Sequence, residues 1–170
     1  MAIGGARREK AKRSAIGVYF RQDSPFNLKV YDPDETPGSY PTGHRIQLHA
    51  AVIGVQHAAT LKAKDEGMKQ VTNIVIKTDN PYVFRGTTEW SGSWLNNGLR
   101  NPKGAAIANA DLVHRLRREV DRLNTTQNCK VYFWHVAKKY NTEAYILANE
   151  AIQDRVAEEN YMSSYVNFDA

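Results

Sequence analysis

The chain has 170 residues, 42% of them apolar, a size and composition suited to one folded domain with a closed core. No apolar run approaches the roughly 18 residues of a membrane helix, and "MAIGGARREKAKRS" carries charges where a secretory signal has its apolar segment, so an intracellular protein with no membrane partner is expected. The lone Cys129 cannot close an internal disulfide, no Cys/His spacing suggests structural zinc, and a net charge of +5 suits a polyanionic partner.

Taken in chain order, "AIGVYF" (Ala15 to Phe20) and "NLKVYD" (Asn27 to Asp32) read as strands, and "DPDETPGSYPTG" breaks the chain into a loop. A long helix follows from Arg45 to Lys64, with Leu48, Val52, Val55 and Ala59 on one face; its His49 and His57 read as ordinary helix residues. "VTNIVIK" is a strand ending at Thr78 and Asp79. A short helix over "NPYVFRGTTEW" comes next, then a Gly/Asn-rich excursion containing Trp94, and a helix capped by Asn109 or Asp111. In that helix Leu112, Leu116, Val120 and Leu123 form an apolar stripe, and the arginines fall opposite, either as a solvated face or as a polyanion contact. "KVYFWHV" is a strand and Thr142 to Glu159 a final helix. Strands alternating with helices predict an α/β fold with a mixed sheet covered on its faces by helices.

The words "GVYF", "TGHRIQLHAAVIGVQHA", "IKTDNPYV", "WSGSWLNNG" and "VYFWHV", in this order, resemble a ribonuclease H domain of the cellular type 1 family. The resemblance implies a five-stranded mixed sheet flanked by helices, over residues 15–155. Residues 1–14 are then a basic segment with the remnant of a truncated first strand, and 156–170 a C-terminal tail.

The same resemblance implies four carboxylates holding two Mg2+ ions about 4 Å apart. The positions fall here on Gly4, Gln47, Asp79 and Tyr145, with Lys139 where the family has a histidine. One carboxylate is left, and Mg2+ demands oxygen ligands and neutralising charge, so loss of the ion pair and of catalysis is expected. Asp79 is expected to cap the turn into "NPYV", or to pair with Lys138 or Lys139. The family's phosphate contacts correspond to Thr42 and Asn109, and its aromatic channel to Trp90 and Trp94; His44 and Gly43 replace its 2′-hydroxyl sensors. The expected partner is RNA or an RNA/DNA hybrid, bound by Thr42, His44, Trp90, Trp94, Asn109, Lys138 and Lys139. The alternatives are a structural subunit docked in a large ribonucleoprotein assembly, which the aromatic tail "YMSSYVNFDA" favours, and a nuclease with an unusual site.

Overall fold

The computed structural model of the chain describes residues 1–31, 41–89, 92, 96–100 and 103–166, with side chains to residue 162. Five strands form one sheet: β1 (Ala2–Arg8), β2 (Arg13–Tyr19), β3 (Leu28–Tyr31), β4 (Asn73–Thr78) and β5 (Lys130–His135), in the order β3-β2-β1-β4-β5. The first three run antiparallel, while β4 is parallel to β1 and β5 parallel to β4, so the sheet is mixed as expected.

The N-terminal expectation needs correction. Residues 1–14 hold a full seven-residue strand, and β1 is the central strand of the sheet. "AIGGARR" has weak strand propensity because two glycines sit in its middle. It is extended because both neighbours hydrogen-bond to it, β2 from Ala2 opposite Tyr19 to Arg8 opposite Arg13 and β4 at Lys77. The hairpin closes through a 3-10 turn at Glu9–Ala11 and a left-handed Lys12 with φ 49°.

On one face lie α1 (Gly43–Lys64), the short α2 (Glu66–Lys69), α3 (Pro81–Thr88) and α4 (Ala110–Thr126). Thr42 caps α1, its hydroxyl accepting from the Arg45 backbone N–H. The helix is buried along most of its girth, as a central core helix must be, with Leu48, Val52 and Val55 against Ile3, Ile16, Val18 and Ile76. The stripe of α4 packs here too: Leu112, Leu116 and Leu123 are buried and Val120 half-buried. Cys129 is fully buried in the same core. His57 binds the Phe26 carbonyl through Nε2 at 2.8 Å and so anchors the β2–β3 loop.

The opposite face carries α5 (Thr142–Val166), which runs beyond the expected Glu159. It packs on β1, β2 and β3. No helix of the described residues is long and apolar enough to cross a membrane.

Candidate functional site

The end of β4, the first turns of α1 and the start of α5 converge on β1. Asn80, not Asp79, caps α3: its Oδ1 accepts from the backbone N–H groups of Tyr82 and Val83 at 3.0 and 3.1 Å. The capping role expected of Asp79 is thereby taken by its neighbour, whose side chain leads directly into the helix. The Asp79 carboxylate is left to accept from side chains. Oδ1 takes the Asn141 Nδ2 amide at 2.8 Å and Oδ2 takes the Tyr145 hydroxyl at 3.2 Å.

These bonds belong to a longer chain that begins and ends on β1. Gln47, only 6% exposed, donates from Nε2 to the Gly5 carbonyl at 3.1 Å and to the Tyr145 hydroxyl oxygen at 2.8 Å. Asn141, fully buried, donates to the Ile3 carbonyl at 2.9 Å as well as to Asp79. Burial, then the neighbouring Asp79 charge, pushes the Tyr145 hydroxyl up to about 12, so it stays protonated and keeps donating to the carboxylate. Two amide oxygens beside this chain, Gln47 Oε1 and Asn141 Oδ1, are buried without a hydrogen-bond partner.

Gly4 and Gly5 leave little space for another acid. A Cβ on Gly4 meets the Ala144 carbonyl carbon and Cβ at 3.2 Å, and one on Gly5 meets the Ile46 methyl Cγ2 at 2.2 Å. Among the described residues no group of three or more His, Cys, Asp or Glu side chains is arranged to hold a metal ion.

The expected pairing of Asp79 with a lysine is not formed among the described residues; its two oxygens accept from Asn141 and Tyr145 instead. Lys138 and Lys139 lie in the 3-10 turn Lys138–Tyr140 after β5, exposed to solvent. Their ammonium groups rest on aromatic faces, Lys138 at 5.5 Å from the Tyr145 centroid and Lys139 at 4.9 Å from that of Tyr140. Lys138 rather than Lys139 therefore touches the site.

A second cluster joins the N-termini of α1 and α4. The Arg45 guanidinium grips the Asp111 carboxylate with two bonds of 3.1 and 3.0 Å, holding its pKa below the ordinary carboxylate value. His44 stacks on Tyr82 at 4.9 Å between centroids, and the Tyr82 hydroxyl donates to the Ala108 carbonyl at 2.9 Å. Burial raises the Tyr82 hydroxyl above its usual acidity constant, while a hydrogen bond with the Asn109 side chain opposes the shift. Asn109 occupies the cap position of α4 at φ 57° without a side-chain cap bond, so its amide turns to Tyr82 instead of the helix. Thr42, exposed at the start of α1, completes the cluster. Of the expected binding residues, Thr42 and His44 stand at the start of α1 and Asn109 at that of α4, His44 and Asn109 both against Tyr82; Trp90 and Trp94 lie outside the described residues. Sequence reading missed Arg45, Tyr82 and Asn141, none of which stands in a pattern that announces a long-range partner.

No protein-family model matches the chain. Ribonuclease H of Pseudomonas fluorescens is 29% identical over 113 residues, covering 66% of this chain and 67% of that protein. Ribonuclease H1 of Homo sapiens is 28% identical over 124 residues, covering 73% of this chain but 37% of its own length. Among solved structures, ribonuclease H1 of Halobacterium salinarum superposes with a TM-score of 0.55 at 19% identity, covering 90% of this chain and 96% of that one. LC11 ribonuclease H1, solved in complex with an RNA/DNA hybrid, gives a TM-score of 0.58 at 13% identity, covering 91% and 96%. The structural likeness carries the fold, which is that of ribonuclease H, and the two sequence matches make the chain similar to ribonucleases H of a bacterium and of human.

Proposed function

We propose that the chain is a ribonuclease H-like module that binds nucleic acid, RNA or an RNA/DNA hybrid, and has lost the hydrolytic chemistry. The observation that carries this reading is the hydrogen-bond chain, with a single carboxylate in it, from the Gly5 carbonyl through Gln47, Tyr145, Asp79 and Asn141 to the Ile3 carbonyl. A pair of Mg2+ ions needs several anionic oxygens, and the residues present do not fit it. Asp79 is the one carboxylate of the set, both its oxygens already accept a donor, and the Tyr145 hydroxyl keeps its proton. The unpartnered amide oxygens of Gln47 and Asn141 are neutral, so they supply none of the compensating charge.

Binding is supported by the second cluster. Thr42 and Asn109 offer neutral donors at two helix N-termini, where backbone N–H groups also favour anions, and His44 stacks beside them. The LC11 neighbour was solved with an RNA/DNA hybrid, which makes that duplex the first ligand to try. Lys138 then takes the charge-neutralising place of the metal pair, with Lys139 next to it in the same turn, and a phosphate lies across the site uncleaved.

Labelled RNA/DNA hybrid incubated with the protein and Mg2+ or Mn2+ tests the loss of hydrolysis. Intact hybrid is expected, and cleavage that disappears in Asp79→Asn overturns it. Binding is measured over a salt series: affinity falling steeply with salt and weakened by Lys138→Glu with Lys139→Glu supports the module, and no binding at low salt refutes it.

A further inference from the structure

α5 packs on β1, β2 and β3, and among the described residues no helix packs over the same face of β4 and β5. Side chains alternate along both strands. Ile74 and Ile76 of β4 are buried in the core, with Val131 and Phe133 of β5 packed against it, so Asn73, Val75, Lys77, Lys130, Tyr132 and Trp134 point the other way. The register sets them in three cross-strand pairs: Lys77 opposite Trp134, Val75 opposite Tyr132, and Asn73 opposite Lys130. Val75, Tyr132 and Trp134 are 45%, 48% and 57% exposed, an unusual amount for large apolar side chains side by side on one sheet. Beside Trp134 opens a hollow of about 230 Å3, walled by Tyr19, Phe20, Val75 and Lys77. Neither β4 nor β5 contains an acidic residue.

We propose that this face is a platform for single-stranded nucleic acid, on which Tyr132 and Trp134 stack bases and Lys77 and Lys130 meet phosphates. The platform is separate from the Thr42–Asn109 cluster and does not depend on it. Its chemistry discriminates between occupants. The two lysines stand at diagonal ends of the patch with Val75 and Tyr132 between them, and neither strand offers an acid, so the patch suits an occupant that is anionic at intervals and flat-faced in between. A single strand uses both kinds of side chain, since every base has a flat face for an aromatic ring and every linkage a charge for an ammonium. Tyr132 and Trp134 stand two residues apart along one strand, about 6.6 Å, so each ring addresses its own base. The patch ends close to the Asp79 site in sequence, since Lys77, opposite Trp134, lies near the end of β4 two residues before Asp79.

The test is fluorescence anisotropy with labelled oligo(dT) and oligo(U), run in parallel with an RNA/DNA hybrid. The parent is expected to bind single strands. Tyr132→Ala with Trp134→Ala should weaken them about tenfold or more while hybrid affinity stays within about twofold, and Trp134→Phe should retain most of the affinity. Lys77→Gln with Lys130→Gln should flatten the salt slope by about 1.4. Photocrosslinking of a bromouracil oligonucleotide, mapped to the peptide holding Tyr132 and Trp134, checks the contact without any variant. Failure of the parent to bind single strands, or equal binding by the double alanine variant, overturns the proposal. So does a parent dimer in sedimentation that the double variant dissolves, since β5 would then be pairing with protein. Loss of hybrid binding with single-strand binding intact removes the proposed function and leaves the platform standing.

Discussion

On one face of β1 and β2 the side chains are Ile3, Ile16 and Val18, all buried, and α1 rests on them with Leu48, Val52 and Val55. On the other face the same two strands set Gly4 opposite Gly17 and Ala6 opposite Ala15, and α5 descends on them with Ala144, Ala148 and Ala151. The first face removes much apolar surface from water per residue and supplies most of the driving force. The second contributes less area and yields proximity instead. A Cβ built on Gly17 would stand 2.1 Å from the Ala144 carbonyl oxygen and 2.9 Å from the Ala148 nitrogen, so the α5 backbone lies directly on the strand. That approach brings Tyr145, the residue after Ala144, within reach of Asp79 and Gln47. Proximity on the small face, rather than area on the large one, closes the hydrogen-bond chain around Asp79.

The largest effect expected from breaking this arrangement is that of Gly17→Ala. The new methyl meets helix backbone, which cannot rotate away, so α5 must lift; a loss of about 3 kcal/mol is expected in urea denaturation. A loss under about 1 kcal/mol would show that the small face does not set the helix position. Next comes Tyr145→Phe, which removes the donor to Asp79 and an acceptor for Gln47 at a cost of about 1–3 kcal/mol. Its pH dependence has a fixed sign. The hydroxyl titrates at about 12 in the fold against 10.0 ordinarily, so its contribution is complete below pH 10 and is lost as the pH rises through 12. The stability difference between parent and Tyr145→Phe should therefore shrink between pH 10 and 12, by about 1 kcal/mol after allowance for the partly exposed ring. A difference that holds constant would mean that Tyr145 does not donate to Asp79. Gly5→Ala is expected to be milder than Gly17→Ala, about 1–2 kcal/mol, because its methyl meets the Ile46 side chain, which can change rotamer.

What could be read beforehand divides along the same line. The large face was legible because apolar residues recur at helical spacing on α1 and α4 and alternate on β2, signals that local sequence carries in full. The small face was not, since "AIGGA" offers no hydrophobic period and extends only because β2 and β4 hold it on either side. The site was half legible. Gln47, Asp79 and Tyr145 could be named from family words, and they do meet. The bond that completes their chain joins Asn141 to Ile3 across a separation of 138 residues, and nothing near either residue encodes it. The capping of α3 went to Asn80 over Asp79 for a reason of one-residue register, finer than propensity resolves.

The smallest expected effect on stability belongs to the Arg45–Asp111 clamp between α1 and α4, and it is the sharpest test of binding. The Asp111 side chain is 60% exposed, so Asp111→Asn should cost about 0.5 kcal/mol at neutral pH. The Arg45 hydrogen bond depresses the folded carboxyl below 3.8, so the clamp contributes above that pH and fades as the carboxyl protonates below it. Parent and variant stabilities should accordingly converge toward acid. The clamp also fixes the spacing of the two helix N-termini that present Thr42 and Asn109. If those two residues share one phosphate, a variant that scarcely changes the melt should weaken hybrid binding several-fold at high salt, where the removal of one negative charge is screened and the lost geometry remains. Equal affinity for hybrid in parent and Asp111→Asn would separate the two helix ends as binding groups and leave the lysines beside Tyr145 to account for the interaction.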